Sequence, residues 1–179
     1  MEYDETRLIR DLLQQKRAAH KQLLDRYGPM VFRLVMRIVR RQEDAEEVYQ
    51  DVFVKALSNI ESYGRHQATL GTWLSHIAYH EALNFVRRTS PAFVSIDDTD
   101  KNQDIFETPD FLQQKEERIL QMEQAIEMLP PQEQALISMF YYDNMSLGDI
   151  AYVTDSIPST VGSRLSRLRK KLYRIIQSL

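Results

Sequence analysis

The most distinctive stretch of the sequence is a basic segment close to its end. Residues 160–174, TVGSRLSRLRKKLYR, hold six basic side chains and no acidic one, whereas the chain of 179 residues has a formal net charge of -3. Arginine and lysine bind phosphates, and arginine also binds the edge of guanine. The segment therefore indicates contact with DNA. A solvated helix face, a membrane surface and a groove on a partner protein are the alternatives.

The residues before this segment favour DNA among those alternatives. Ser146-Leu-Gly-Asp149 fits a capping box that begins a short helix, and Asp155-Ser156-Ile157 indicates a turn. Pro158 suits the first turn of the helix that follows. A short helix, a short turn and a longer helix form a helix-turn-helix, whose second helix enters the major groove with its N-terminal residues at the base edges.

This geometry separates base-reading residues from phosphate-binding residues along the last helix. The side chains expected at base edges are Ser159, Thr160, Ser163 and Arg164. The later bases cannot all reach the floor of one groove, so most are expected at phosphates: Arg167, Arg169, Lys170, Lys171 and Arg174.

Two histidines one helical turn apart, His76 and His80, also match a metal-binding pair. A zincin would need glutamate directly after the first histidine, where the chain has Ile77, and the sequence contains no cysteine that could complete another site. We therefore predict no metal site and no cofactor. No nucleophile–base pair or phosphate-binding loop supports the further alternative of a helical enzyme.

The periodicity of apolar residues predicts an all-α fold of two small helical domains, residues 1–92 and 118–179, joined by an acidic linker, 93–117. Helices are expected over about 43–58 and 72–88, after a first stripe that Gly28-Pro29 should break or kink. The linker stretch Phe93–Glu117 contains eight acids and two bases. Because it lacks periodicity, we expect it to be at least partly disordered.

Composition and hydropathy limit where the chain works. The absence of cysteine fits a reducing compartment. No apolar run approaches the roughly 18 residues of a membrane span, and the N-terminus has no signal-peptide core. We expect a cytoplasmic protein without direct membrane insertion.

Three stretches, in this order, resemble the extracytoplasmic-function (ECF) sigma factors of bacterial RNA polymerase. They are DAEEVYQDVFVKAL (44–57), TWLSHIAYHEALNFVRR (72–88) and LPPQEQALISMFYYDNMSLGDIAYVTDSIPSTVGSRLSRLRKKL (129–172). The resemblance implies a factor that binds core RNA polymerase, directs it to promoter DNA, aids promoter melting and catalyses nothing itself. Many relatives are silenced by an anti-sigma factor, which makes such a partner a candidate here.

The resemblance implies contacts for the first domain. In the helix that would bind polymerase, the matching positions are Asp44, Glu47, Gln50, Asp51 and Phe53. An acidic ridge beside apolar residues suits a basic, partly apolar partner, and the alternative is a solvated acidic face. Residues 63–71 match the loop that captures an unstacked base of the minus-ten element. The residues expected at that element are Tyr63, Gln67, Thr69, His76, His80, Arg87 and Arg88.

The resemblance also assigns the last helix to the minus-thirty-five element. The expected contacts there are Ser159, Thr160, Ser163, Arg164, Ser166, Arg167, Lys170 and Lys171. Asp155 stands where the family often has glycine in the turn, and aspartate tolerates the left-handed conformation better than most residues, though less well than glycine. A stand-alone helix-turn-helix repressor or activator is the competing function, but the first domain shows no ligand-sensing signature and the chain no dimerisation zipper.

Overall fold

The computed structural model describes residues 5–89 and 115–179, with side chains from residue 119 in the second range. Every regular element in these two ranges is helical. The N-terminal bundle consists of α1 (Glu5–Leu13), α2 (Arg17–Val39), α3 (Gln42–Ser58), a 3₁₀ turn (Ile60–Ser62) and α4 (Leu70–Thr89). The C-terminal bundle consists of α5 (Lys115–Glu127), α6 (Pro131–Ile137) with a π-helical turn (Ser138–Tyr142), α7 (Leu147–Val153) and α8 (Pro158–Ser178). The all-α prediction is confirmed.

The predicted linker falls almost wholly outside the described residues. Its last three residues are the exception, because α5 already begins at Lys115. In the described part of the chain, no helix combines the length and the apolar character needed to cross a membrane.

The break expected at Gly28-Pro29 does not occur, because α2 runs through Pro29 without ending. Gly28 has a packing role instead. A Cβ at this position would lie only 2.7 Å from the hydroxyl oxygen of Tyr49 on α3. The Tyr49 ring in turn packs edge-on against Phe32 and Phe53, with centroids 5.7 and 5.0 Å away. The glycine therefore lets α2 and α3 approach closely.

The helix-turn-helix forms as the sequence predicts. Ser146 caps α7, since its hydroxyl oxygen accepts a hydrogen bond from the backbone N–H of Asp149 at 3.1 Å. Asp155 adopts a φ of 49° in the turn, and Pro158 stands in the first turn of α8. On α8 the buried side chains recur every three or four residues: Val161, Leu165, Leu168 and Leu172. This stripe fixes which side of α8 faces outward.

The two bundles pack against each other, an arrangement that we call the closed arrangement. Arg33 of α2 forms an ion pair with Asp143 at 3.0 Å, and the guanidinium of Arg37 lies 5.1 Å from the ring centroid of Tyr142. Arg40 donates to the backbone carbonyls of Glu127 and Leu129 at 3.1 and 3.0 Å. These carbonyls end α5, where a cation offsets the negative end of the helix dipole.

Candidate nucleic-acid and polymerase interfaces

The outward side of α8 carries a row of polar and cationic side chains. Its exposed members are Ser159, Ser163, Arg164, Ser166 and Arg167, and Thr160 is half-buried. The opposite side of the helix is the apolar stripe, so this face cannot turn inward without exposing the core. The closed arrangement leaves the face open. The predicted base-reading residues thus lie together on one accessible surface.

The cations further along α8 contact the protein itself. Lys171 pairs with Glu133 of α6 at 2.8 Å, and both side chains are partly shielded from solvent. Arg169 donates through Nε to the hydroxyl of Tyr141 at 2.7 Å. These two contacts brace α8 against α6 and the π-helical turn. Lys171 would have to leave its carboxylate partner to bind a phosphate.

The acidic side of α3 is exposed along most of its length. Glu47, Gln50 and Asp51 are exposed, whereas Asp44 is half-buried and lies 3.6 Å from the guanidinium of Arg41. Phe53 does not belong to this surface, because the residue is only 4% exposed and its ring packs against that of Tyr49. The prediction that Phe53 contacts a partner is therefore wrong. Phe53 packs in the core of the N-terminal bundle.

Sequence reasoning missed Val54, which is 65% exposed. Positions 47, 50, 51 and 54 are spaced by three and four residues, so they share one side of α3. Val54 therefore supplies the apolar element beside the acids that was assigned to Phe53. The helical spacing from Glu47 could have revealed it.

Tyr63 in the loop before α4 is held in place by the protein. Its ring lies 5.3 Å from that of Trp73, and its hydroxyl donates to the Ala68 carbonyl at 2.9 Å. Burial, with the nearby carboxylate of Glu5, raises the pKa of Tyr63 to about 12. Trp73 is 8% exposed and packs in the core. The indole of Trp73 therefore contacts the Tyr63 ring from within the protein.

Thr69 begins α4. Its hydroxyl oxygen accepts from the backbone N–H of Thr72 at 3.2 Å, as the side chain of an N-cap residue does. Glu5 of α1 satisfies a second N–H of the same helix end by accepting from Leu70 at 3.0 Å. Gln67 beside them is exposed. Thr69 is also exposed, but its hydroxyl is engaged in capping α4.

His76 and His80 on α4 face the C-terminal bundle. Their Nε2 atoms lie 3.2 and 3.1 Å from the two carboxylate oxygens of Asp155. Burial, followed by the charge of His76, lowers the pKa of His80. In the closed arrangement the turn of the helix-turn-helix therefore occupies the side of these histidines that was expected to contact the minus-ten element. Arg87 and Arg88 at the end of α4 are exposed.

The contacts between the bundles were not anticipated from the sequence. Arg33, Arg37 and Arg40 are spaced by three and four residues, which indicates a common side of α2. Their partners lie about 90 to 110 residues further along the chain, so no local pattern could identify them. Another contact between the bundles joins α4 to α7: the hydroxyl of Thr72 donates a hydrogen bond to the carboxylate of Asp149 at 3.1 Å.

Comparison with known protein families shows two matches, one in each bundle. Residues 23–91 match the family described as "Sigma-70 region 2", and residues 119–172 match "Sigma-70, region 4". The second match contains the helix-turn-helix with the exposed face of α8. The class of protein that these two regions define brings RNA polymerase to promoters.

Individual relatives narrow the class. The chain is 31% identical over 184 residues to the ECF RNA polymerase sigma-E factor of Haemophilus influenzae, covering 96% of this chain and 95% of that protein. It is 29% identical over 147 residues to RNA polymerase sigma factor SigV of Bacillus subtilis, covering 80% and 82%. The chain belongs to the ECF family of sigma factors, and it directs promoter-specific initiation of transcription by RNA polymerase.

Solved structures show the same fold. CnrH, solved in complex with the cytosolic domain of CnrY, superimposes with a TM-score of 0.69 at 18% identity, covering 96% of both chains. The sigma factor RpoE of Bartonella quintana, solved with the anti-sigma factor NepR, has a TM-score of 0.63 at 22% identity, covering 88% of this chain and 96% of that one.

Proposed function

We propose that the chain divides promoter recognition between two domains, residues 1–92 and 118–179. The first binds core RNA polymerase and the minus-ten element, and the second binds the minus-thirty-five element. The observation that carries this proposal is the exposed polar and cationic face of α8. The opposite side of α8 is buried, and the capped helix α7 precedes it in the helix-turn-helix. The protein itself catalyses no reaction, and it acts in the cytoplasm, where polymerase and DNA are found.

The polymerase-binding surface in this proposal is the exposed side of α3. Its exposed members are Glu47, Gln50, Asp51 and Val54, and the half-buried Asp44 lies at its N-terminal end. Three carboxylates and one exposed isopropyl group complement a basic surface that has an apolar centre. Charge reversal of Asp51 to lysine should weaken polymerase binding and leave binding of minus-thirty-five DNA unchanged. Asp25→Lys on α2 is a matched control, because Asp25 is exposed and outside the proposed surface.

The minus-ten surface comprises Gln67, Tyr63 and the exposed end of α4. The ring of Tyr63 lies beside that of Trp73, and Arg87 and Arg88 are exposed. In this proposal the two arginines bind phosphates. His76 and His80 can contact DNA only after Asp155 moves away from them. The proposal therefore requires the two bundles to separate before the minus-ten element is bound.

An anti-sigma factor belongs to the proposal as a regulatory partner. RpoE of Bartonella quintana was solved with the anti-sigma factor NepR, and the present chain shares that fold. Co-purification of the chain from its own host, with the partner identified by mass spectrometry, tests this part. Recovery of core polymerase alone would speak against it.

Reconstituted transcription tests the central claim. The purified chain and core polymerase from the same host should start transcripts from a defined set of sites in genomic DNA, and core polymerase alone should not. Sequencing the transcript 5′ ends then yields the promoter. Specific binding of duplex DNA without any polymerase-dependent initiation would favour the competing repressor or activator function.

Arg164 is the residue whose removal should be most informative. Arg164→Ala should weaken binding to the promoter so defined by about 1–3 kcal/mol, as expected for an arginine at a base edge. The loss should concentrate on promoters with the preferred minus-thirty-five sequence. Arg10→Ala on α1 removes an exposed arginine elsewhere and should leave affinity unchanged. Equal affinity of the Arg164→Ala and unaltered proteins, with the fold intact, would remove Arg164 from the interface.

A further inference from the structure

Three side chains with metal-ligand chemistry meet where the two bundles touch. His76 and His80 come from α4, and Asp155 comes from the turn between α7 and α8. One potential ligand atom from each residue lies within 4.8 Å of the others. The sequence-based prediction of no metal site considered only the histidine pair, because Asp155 is 75 residues or more away along the chain.

The distances suit a small tetrahedral ion. Zinc binds imidazole nitrogen at about 2.0–2.1 Å, so neighbouring ligand atoms of a tetrahedral site are about 3.4 Å apart. The Nε2 atoms of His76 and His80 lie 3.2 and 3.1 Å from the carboxylate oxygens of Asp155. Small rotations of the side chains would bring all three residues to coordination distance. A fourth position would remain for water, as in other sites with three protein ligands.

His80 carries a further sign of a ligand. Its Nε2 atom is buried, and in the described part of the chain it has no hydrogen-bond partner. The nearby oxygen of Asp155 lies within reach but outside hydrogen-bond geometry. A buried polar atom without a partner is costly, and a bound cation would satisfy it.

Asp155 is unusual for its backbone conformation. Its φ of 49° lies in the left-handed region, which glycine adopts without strain and other residues adopt at a cost. A glycine would avoid this strain but would have no carboxylate. The carboxylate of Asp155 is directed at both histidines. Its side chain is 68% exposed, so an ion can reach the site from solvent.

We propose that His76, His80 and Asp155 form a binding site for a divalent transition-metal ion such as Zn²⁺, and that the bound ion holds the closed arrangement together. Two imidazoles and one carboxylate suit zinc and neighbouring transition metals better than Mg²⁺ or Ca²⁺. A further consequence rests on the proposed function: the ion engages the histidines expected at the minus-ten element, so metal binding opposes promoter binding.

Zinc titration of the full, untagged chain tests the site directly. Isothermal titration with ZnCl₂ in excess MgCl₂ should show one ion bound per chain. Asp155→Gly removes the carboxylate and its hydrogen bond with His76, while it relieves the strained φ. Because these two effects oppose each other, the metal-free variant should melt close to the unaltered protein. Its dissociation constant for zinc should be at least about 100-fold higher, by comparison with the losses that follow from second-shell changes alone. His80→Ala should show the same loss.

His66→Ala is the matched control, because His66 is an exposed histidine outside the cluster, and it should bind zinc as the unaltered chain does. Absence of saturable zinc binding, or equal binding by the unaltered chain and Asp155→Gly, would overturn the site. Neither result depends on polymerase or promoter DNA. The proposed function is therefore tested separately, by reconstituted transcription.

A distance measurement tests the closing of the bundles. The chain has no cysteine, so Ser58→Cys on α3 and Gln177→Cys on α8 would be the only two thiols for spin labels. ZnCl₂ should narrow the distance distribution towards the closed arrangement, and Asp155→Gly should abolish that response. Zinc bound at one equivalent with an unchanged distribution would overturn the closing role.

Discussion

The ion pair between Arg33 and Asp143 should control how tightly the two bundles stay together. Asp143 has a side chain only 7% exposed, whereas that of Arg33 is 57% exposed, and the pair is 3.0 Å long. Arg33→Ala leaves the carboxylate shielded from water without its cation, a situation that occurs only in the closed arrangement. The substitution should therefore destabilise that arrangement selectively.

The expected size of the effect follows from the exposure of the two partners. An exposed pair contributes about 0.2–1 kcal/mol, and stranding a buried acceptor costs about 1–3 kcal/mol. Because Arg33 is largely solvated, we expect about 1–2 kcal/mol. Such a change lowers the ratio of closed to open molecules by a factor of roughly 5–30.

Spin labels at positions 58 and 177 provide the assay. The distance distribution should broaden towards longer values in Arg33→Ala, and Arg10→Ala should behave as the unaltered chain does. Adding Asp143→Asn to Arg33→Ala should restore part of the closed population, because the stranded charge is then removed. An unchanged distribution in Arg33→Ala would refute the reasoning, since a shielded carboxylate without its cation must favour opening.

The remaining predictions concern packing, capping and pH. Gly28→Ala should lower the free energy of unfolding by about 1–3 kcal/mol, as overpacking does, because the new Cβ meets the Tyr49 hydroxyl; adding Tyr49→Phe should recover part of the loss in chemical denaturation. Ser146→Ala should cost about 0.5–2 kcal/mol by removing the cap of α7; thermal melting that matches the unaltered chain would contradict this role. Tyr63 has a folded-state pKa of about 12, above the unfolded value of about 10, so its stabilising contribution should be present below pH 10 and be lost as the pH rises towards 12. Denaturant titrations of Tyr63→Phe should accordingly show a flatter alkaline profile.

The helix-turn-helix could be predicted from the sequence because local interactions decide it. The cap at Ser146, the left-handed Asp155 and the proline that opens α8 all act within a few residues of their partners. The spacing of apolar residues likewise predicted the buried sides of α2, α3, α4 and α8. In α1 the same pattern is present in the buried residues Leu8, Ile9 and Leu12, although no helix was predicted there.

Features that depend on distant partners could not be predicted in the same way. The helix survives Pro29 because packing along the rest of α2 outweighs the loss of one internal hydrogen bond. The cluster of His76, His80 and Asp155 likewise depends on contact between the two bundles. None of these follows from spacing along one helix.

Asp149 connects two properties of the molecule that a genetic screen would record separately. One carboxylate oxygen receives the hydroxyl of Ser146 at the start of α7, and the other receives the hydroxyl of Thr72 from the opposite bundle. When the bundles separate, the second oxygen loses Thr72 and becomes hydrated, while the first oxygen keeps its hydrogen bond from Ser146. An allele of Asp149 selected for altered promoter output could thus act by changing how readily the molecule opens, with every base contact unchanged.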